Sequence, residues 1–451
     1  MDDTVTGRDS LERQVGLGVA TALVVGEVIA VGIFLTPAGM AKSLGSPMWL
    51  LVVWLVMGAM AICGALCYGE LAVRFPEAGG AYVYLREAFG APLAFLYGWM
   101  ALLVMDPGLT AALAAGLAGY AVYVLGISPL QGKLLAIGVI LLVAAVNIVG
   151  VKPGAGIVWL LTVLKLGLLG FVLVWGFGLR LGHWSNFSPF IAQRPGSESL
   201  IAGLAGALVG AFFSFGGWWD LSKLAGEVRR PEYTLPRALV YGVAVVTAVY
   251  LCVSTVFIYL VPIERVTTGE TFAAQAGEVL FGKSGADIFS LIVIVAVLGS
   301  LAGIIMSAPR VYFAMARDRL FFPSAAAVHP RFGTPARSIA LQAILASILV
   351  ALGTFDKIIA YFIFVVVIFI ALTIIAVFVL RRKNPVKLVY MTPGYPVTPV
   401  VFLFLILLLL VLLGAHDPGQ AFLGVGVVAL GLPVYYLVFR RRNIPNVMEK
   451  A

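Results

Sequence analysis

Charge is scarce in this chain. Of its 451 residues only 11% are Asp, Glu, Lys or Arg, against 62% hydrophobic, and the mean hydropathy is +1.06. Such a composition lacks the solvated surface of a soluble domain, and its apolar runs repeatedly reach the roughly 20 residues that carry a helix across a bilayer. Cysteine is scarcer still. Cys63, Cys67 and Cys252 all fall in apolar runs, an odd buried set that gives neither a disulfide framework nor metal-ligand spacing, so packing is the better reading. The three histidines, His183, His329 and His416, fall in separate loops, and no metal site or Ser-His-Asp constellation can be assembled from them. A membrane-embedded enzyme would bring catalytic groups into spans, and a channel would repeat like polar residues around a pore; neither pattern is visible. The chain has no Walker-type glycine loop, which argues against an ATP-driven pump, and no metal or other cofactor is expected. MDDTVTGRDSLERQ lacks the basic segment of a cleavable signal, so the first helix is expected to remain in the mature protein.

What the chain does have is a series of hydrophobic spans, near 15 to 41, 48 to 73, 92 to 125, 131 to 151, 155 to 179, 199 to 222, 236 to 262, 285 to 309, 338 to 354, 358 to 380, 397 to 415 and 419 to 439. These make twelve, the ninth being the shortest. The net charge of +9 invites an acidic partner until its distribution is examined. Of the basic residues, 22 lie at the termini and beside alternate loops, 7 on the opposite side, and Lys165 inside a span. That asymmetry is the positive-inside rule. It predicts cytoplasmic termini and no nucleic-acid partner; an inner-membrane location is a separate expectation. The clusters Arg381, Arg382, Lys383 and Arg440, Arg441, Arg442 follow apolar runs directly, where lipid headgroups would meet them.

Two of the spans are interrupted by glycine, GEVIAVGIF at 26 to 34 and GAFFSFGGWWD at 210 to 220, about half a chain apart. Broken helices in corresponding halves point to the binding site of a secondary transporter, because unwound backbone at membrane depth is tolerated only where it lines a cavity or is buried in protein. Any single glycine is as well explained by close helix packing; the paired placement favours a site.

Three stretches, GEVIAVGIFLTPAGM (26 to 40), FSFGGWWDLSKLAGEVRRPEYTLPRAL (213 to 239) and PRVYFAMARDRLFFP (309 to 323), resemble the amino acid/polyamine/organocation superfamily, most closely its L-type amino-acid transporter branch. The likeness runs along nearly the whole chain. It implies an all-α integral membrane protein of the LeuT-like fold, one transporter domain over residues 1 to 451, with 15 to 179 and 199 to 380 as inverted repeats of five helices and 397 to 439 as two additional helices. It further implies sodium-independent transport of amino acids by alternating access, favouring neutral substrates and possible as exchange. Light-subunit relatives in animals pair with a glycoprotein through an external cysteine, and no cysteine lies in an expected external loop, so a covalent heavy-chain partner is not expected; the partners are the amino acid and the bilayer.

The breaks suggest how a zwitterion is read. A helix restarting near Ala30, Val31 and Gly32 turns free N–H groups and the positive end of its dipole toward a carboxylate. A helix ending near Phe213, Ser214, Phe215 and Gly216 turns free carbonyls toward an ammonium. Phe213 falls where similar transporters place an aromatic gate. Trp218 and Trp219 fit packing or an interface equally well. Lys165 is a functional residue by default because it is charged and deep in a span; in similar sodium-independent transporters a lysine here takes the place of the ion, with the Gly26 carbonyls, Ser300 and Tyr250 as expected partners. Snorkelling to an interface is the plainer alternative.

The chain also departs from the family pattern. Ala30-Val31-Gly32 stands where Gly, Ser or Thr, Gly is usual, so a carboxylate-binding hydroxyl is lost. Glu27 reads as a protonatable coupling group, a counter-charge for Lys165, part of a subsite for a cationic substrate, or simply a satisfied ion pair. Asp106, where similar proteins often carry a basic residue, precedes Pro107 and reads as a helix N-cap; Asp220 reads likewise as a cap. These departures motivate the alternative of a proton-coupled importer of cationic amino acids or amines. Glu227 and Asp318 are expected to meet arginines at an inner gate, and 263 to 284 to form an external lid.

Overall fold

The computed structural model describes residues 11–266, 272–353, 363–416 and 418–439. The cluster Arg440, Arg441, Arg442, residues 267–271 of the expected lid and the first residues of the expected tenth span lie outside them. Among the described residues the fold is all helical. The first expected span is two helices, α1 (Leu17–Val28) and α2 (Gly32–Leu44), bent by 45° at their junction. They are followed by α3 (Pro47–Arg74), α4 (Ala81–Phe89), α5 (Ala91–Met100), α6 (Asp106–Leu125), α7 (Pro129–Val149) and α8 (Val151–Gly178). Ten described helices are long and apolar enough to cross a membrane, eleven when the bent pair counts as one; the shorter apolar helix Ala336–Leu352 brings the count to the twelve expected.

The expected third span is continuous but not regular, since one turn of π-helix, Ala101–Met105, joins α5 to α6. Asp106 therefore continues a helix rather than starting one. Its N-terminal neighbour Met105 is already helical and no side chain caps the junction, which overturns the cap reading.

The second broken span runs from α9 (Leu200–Phe215) through 3₁₀ turns at Trp218–Glu227 into α10 (Pro231–Leu260). Gly216 leaves the helix with φ −59° and ψ 147°, and Gly217 has φ +105°, a conformation that costs glycine little and other residues much. No side-chain cap opens the turns after Gly217, so Asp220 is not a cap either. Beyond α10 come α11 (Ile263–Val266), α12 (Phe272–Phe281), α13 (Gly285–Ser307), α14 (Pro309–Arg317), α15 (Ala336–Leu352), α16 (Ile363–Lys383) and α17 (Val397–His416). The two broken helices lie side by side. α2 packs on α9 and α1 on the 3₁₀ turns, while α8, α10 and α13 enclose α1.

One end of the bundle is tied by ion pairs, one fully buried and two partly so. Arg310 meets Glu227 through two bonds of 2.7 and 3.0 Å, Arg381 meets Glu70 at 2.8 and 2.6 Å, and Arg86 and Tyr82 both bond Asp318. Burial opposes the Arg86 charge, yet its bonds to Asp318 and Glu87 prevail and raise its pKa. At the same end, the N–H groups of Gln14 and Val15 reach Glu227 O at 2.8 and 2.9 Å, and Arg229 N–H returns to Val15 O at 2.8 Å. At the other end Arg194 gathers the carbonyls of Gly45, Asn186, Ser188 and Pro189 and the Glu264 carboxylate, fixing the 180 to 198 loop to the start of the expected lid.

Removing one member of a fully buried pair leaves the other charge uncompensated. Arg310→Met is expected to cost about 3–5 kcal/mol, read as a lower melting temperature in detergent, and Arg310→Met with Glu227→Gln is expected to recover part of that loss.

Candidate functional site

Where α1 stops, its last carbonyls lose their helical partners, and three side chains take them over. Lys165 Nζ, from α8, lies 2.8 Å from Gly26 O and 2.6 Å from Ile29 O. Ser300 Oγ, from α13, donates to Gly26 O at 2.6 Å, lies 3.2 Å from Ile29 O, and is 3.3 Å from Lys165 Nζ. Tyr250, from α10, meets the break separately from Lys165: its hydroxyl is 2.9 Å from Val28 O and 2.7 Å from Ser214 O, spanning both interrupted helices. Lys165, Tyr250 and Ser300 are essentially without solvent exposure, and none snorkels outward.

Glycine permits the close approach. A methyl group at Gly32 would come within 2.7 Å of Ser214 Cα, and one at Gly26 within 2.5 Å of Thr162 Oγ1. The start of α2 is thus pressed against the end of α9, where Thr36 bonds both Gly32 O at 2.9 Å and Ser214 Oγ at 2.8 Å.

A cavity of about 80 Å³ opens beside this junction. Ala30, Val31, Gly32, Phe213, Ser214, Gly216, Glu27 and Ser300 contribute to its wall, with Leu109, Leu113, Phe212, Trp219 and Ile304 supplying apolar surface. Gly26, Lys165 and Tyr250 stand behind the wall. Phe215 departs from the expectation. It is 2% exposed and packs on Tyr250 and Trp54, ring centroids 5.2 and 6.1 Å apart, because the helical turn that aims Phe213 at the cavity aims Phe215 into the core. The carbonyls expected to meet an ammonium are also engaged: Phe213 O accepts from Gly216 N–H at 3.2 Å and Ser214 O from Tyr250.

The three acids lie together. Lys223 Nζ is 2.9 Å from both Asp106 Oδ1 and Asp220 Oδ1, and the Tyr312 hydroxyl reaches Asp106 Oδ2 at 3.3 Å. Glu27, 8% exposed, has no hydrogen-bond partner for either carboxylate oxygen among the described residues. No ion pair within 4.0 Å joins it to Lys165, which is turned to the carbonyls of Gly26 and Ile29. Lys223 was legible as WWDLSK, a lysine three residues after an acid at a helix break, yet the loop-charge count absorbs it as one more basic residue. Among the described residues no group of His, Cys, Asp and Glu could hold a metal ion.

Two helices broken opposite each other around a buried cavity, inside a bundle of membrane-length helices, define a secondary transporter. The chain belongs to the amino acid permease family, whose profile matches residues 16–439, and its relatives place it in the L-type branch of the amino acid/polyamine/organocation superfamily. It is 32% identical to the serine/threonine exchanger SteT of Bacillus subtilis over 97% of this chain and 99% of that protein. It is 28% identical to the large neutral amino acids transporter small subunit 2 of Homo sapiens, covering 96% and 81% of the two chains. It is equally 28% identical to the b(0,+)-type amino acid transporter 1 of Mus musculus, covering 95% and 88%. The family and these relatives are transporters, not enzymes.

Because the Gly32 contact is with backbone, it cannot be relieved by a rotamer change. Gly32→Ala is expected to part α2 from α9 and weaken solute binding at least tenfold, measured by ligand-induced stabilisation in detergent, while Gly39→Ala, whose added methyl would meet nothing within 4 Å, leaves binding unchanged.

Proposed function

We propose that this chain is a sodium-independent transporter of amino acids that works by alternating access as an exchanger, its two five-helix repeats, 15 to 179 and 199 to 380, rocking about the broken helices. The observation that carries this is the Lys165 ammonium between Gly26 O, Ile29 O and Ser300 Oγ. The lysine amino group held there takes the place on the unwound carbonyls that a bound sodium ion would otherwise fill. The exchange activity named for one relative and the neutral substrates named for another support the same reading, as does the apolar wall around the cavity. On this reading the free N–H groups at the start of α2 face the substrate carboxylate, Phe213 closes over it, both termini are cytoplasmic in the inner membrane, and no disulfide-linked heavy chain is required. The unpartnered Glu27 favours a second reading, proton-coupled import of cationic amino acids or amines.

Uptake of a labelled amino-acid panel into proteoliposomes tests the proposal. Uptake is expected to require internal amino acid, to ignore an imposed proton gradient, and to be unchanged when choline replaces sodium. Stimulation by sodium, or gradient-driven uptake into empty vesicles, would overturn it. Lys165→Ala leaves the carbonyls at the break unsatisfied and is expected to lower exchange more than tenfold, with external sodium failing to restore it.

A further inference from the structure

An amino-acid carrier needs an ammonium site, and several of the backbone acceptors nearest the breaks are occupied from within. Gly26 O and Ile29 O receive Lys165 and Ser300, Val28 O and Ser214 O face Tyr250, and Phe213 O receives the Gly216 amide. Among the described residues the Glu27 carboxylate lines the cavity with both oxygens buried and without a hydrogen-bond partner.

The charges around it point the same way. The described residues bury three carboxylates here, Glu27, Asp106 and Asp220, against two ammonium groups, Lys165 and Lys223. Lys165 is turned to backbone carbonyls, and Lys223 is shared between Asp106 and Asp220 at 2.9 Å each. By formal charge this leaves one carboxylate, Glu27, without an ion-pair partner, and a buried charge without a partner is costly. Space for Glu27 is built in. A methyl at Gly303 of α13 would come within 2.5 Å of Glu27 Cγ, and one at Gly217 within 3.3 Å of Glu27 Cβ. The carboxylate end of the cavity is poorer in donors: Ala30 and Val31 bring no hydroxyl, and the Thr36 and Ser214 hydroxyls bond each other, Gly32 O and Gly210 O.

We propose that Glu27 is the anchor for the ammonium group of the transported solute, completing the charge balance of the cavity by an ion pair, so that the ammonium rather than the carboxylate is the chief determinant of recognition. Solutes carrying a primary ammonium on a small apolar body fit this cavity, and amines that lack a carboxylate compete for it. The inference rests on the transport reading above and concerns its substrate class.

The test uses the full-length protein in proteoliposomes loaded with whichever amino acid the wild type exchanges best. Two unlabelled competitors are added outside, the amine formed by removing that amino acid's carboxylate and the acid formed by removing its ammonium. The amine is expected to inhibit and the acid not to. Glu27→Gln is expected to raise the half-saturation concentration at least tenfold, and Glu27→Asp, which keeps the charge, to raise it less. Inhibition by the acid alone overturns the proposal. So does a Glu27→Gln half-saturation within twofold of wild type, including the case in which only its pH dependence changes and Glu27 proves a proton carrier. If Glu27→Gln abolishes exchange, binding to the folded variant in detergent decides: retained amine binding overturns the proposal, and lost binding supports it. If the wild type exchanges no amino acid, the transport reading fails separately, and stabilisation by the amine that depends on Glu27 still decides the anchor.

Discussion

The contact on which the site depends is the one between the Lys165 ammonium and the carbonyls left bare where α1 ends. A helix interrupted inside a membrane exposes acceptors that neither lipid nor the helix itself can satisfy, and an unmet buried carbonyl costs on the order of 1–3 kcal/mol. Lys165 and Ser300 meet Gly26 O and Ile29 O from two other helices, so the break is tied to α8 and α13 at once. Tyr250 then joins it to the second break. With the two ends held in register, Gly32 can sit against Ser214, and the cavity appears beside that contact instead of collapsing into it.

The two buried lysines have opposite electrostatic tasks. Lys165 faces neutral dipoles and donates to them behind the cavity wall. Lys223 faces carboxylates and is consumed by them, binding the 3₁₀ turns after Gly217 to the irregular helix that carries Asp106. Polarity in this core is thus arranged in layers, with backbone satisfied on one side and anions gathered on the other. The apolar rings of Phe212 and Trp219 lie at the cavity wall beside both.

Much of this architecture is legible in the sequence, since hydropathy marks the spans and glycine marks the breaks. Lys165, Gly26 and Ser300 could be placed together because a lone charge in a span demands partners, and the likeness to similar transporters indicates which residues they are. Asp106 and Asp220 were harder. Each sits beside a helix break, where capping is the usual use of an aspartate, and nothing local announces that a lysine three residues beyond Asp220 turns back to meet them both. Phe215 shows a related limit: a run of aromatic residues at a break does not state its rotation, and one position of slip exchanges cavity for core. Rotation, unlike span, is set by neighbours far away in the chain.

The segment that precedes α1 raises a different matter. Gln14 and Val15 are held to Glu227 and Arg229 entirely through main-chain atoms, so these hydrogen bonds do not themselves specify which side chains occupy the latch. At Gln14 drift in sequence would leave these bonds in force, whereas Val15 is further restricted by the packing of its buried side chain. What the latch does depend on is count. One residue added or removed between the latch and the first helix would set these bonds out of step with the break in α1, making chain length here a quantity under stronger constraint than chain composition.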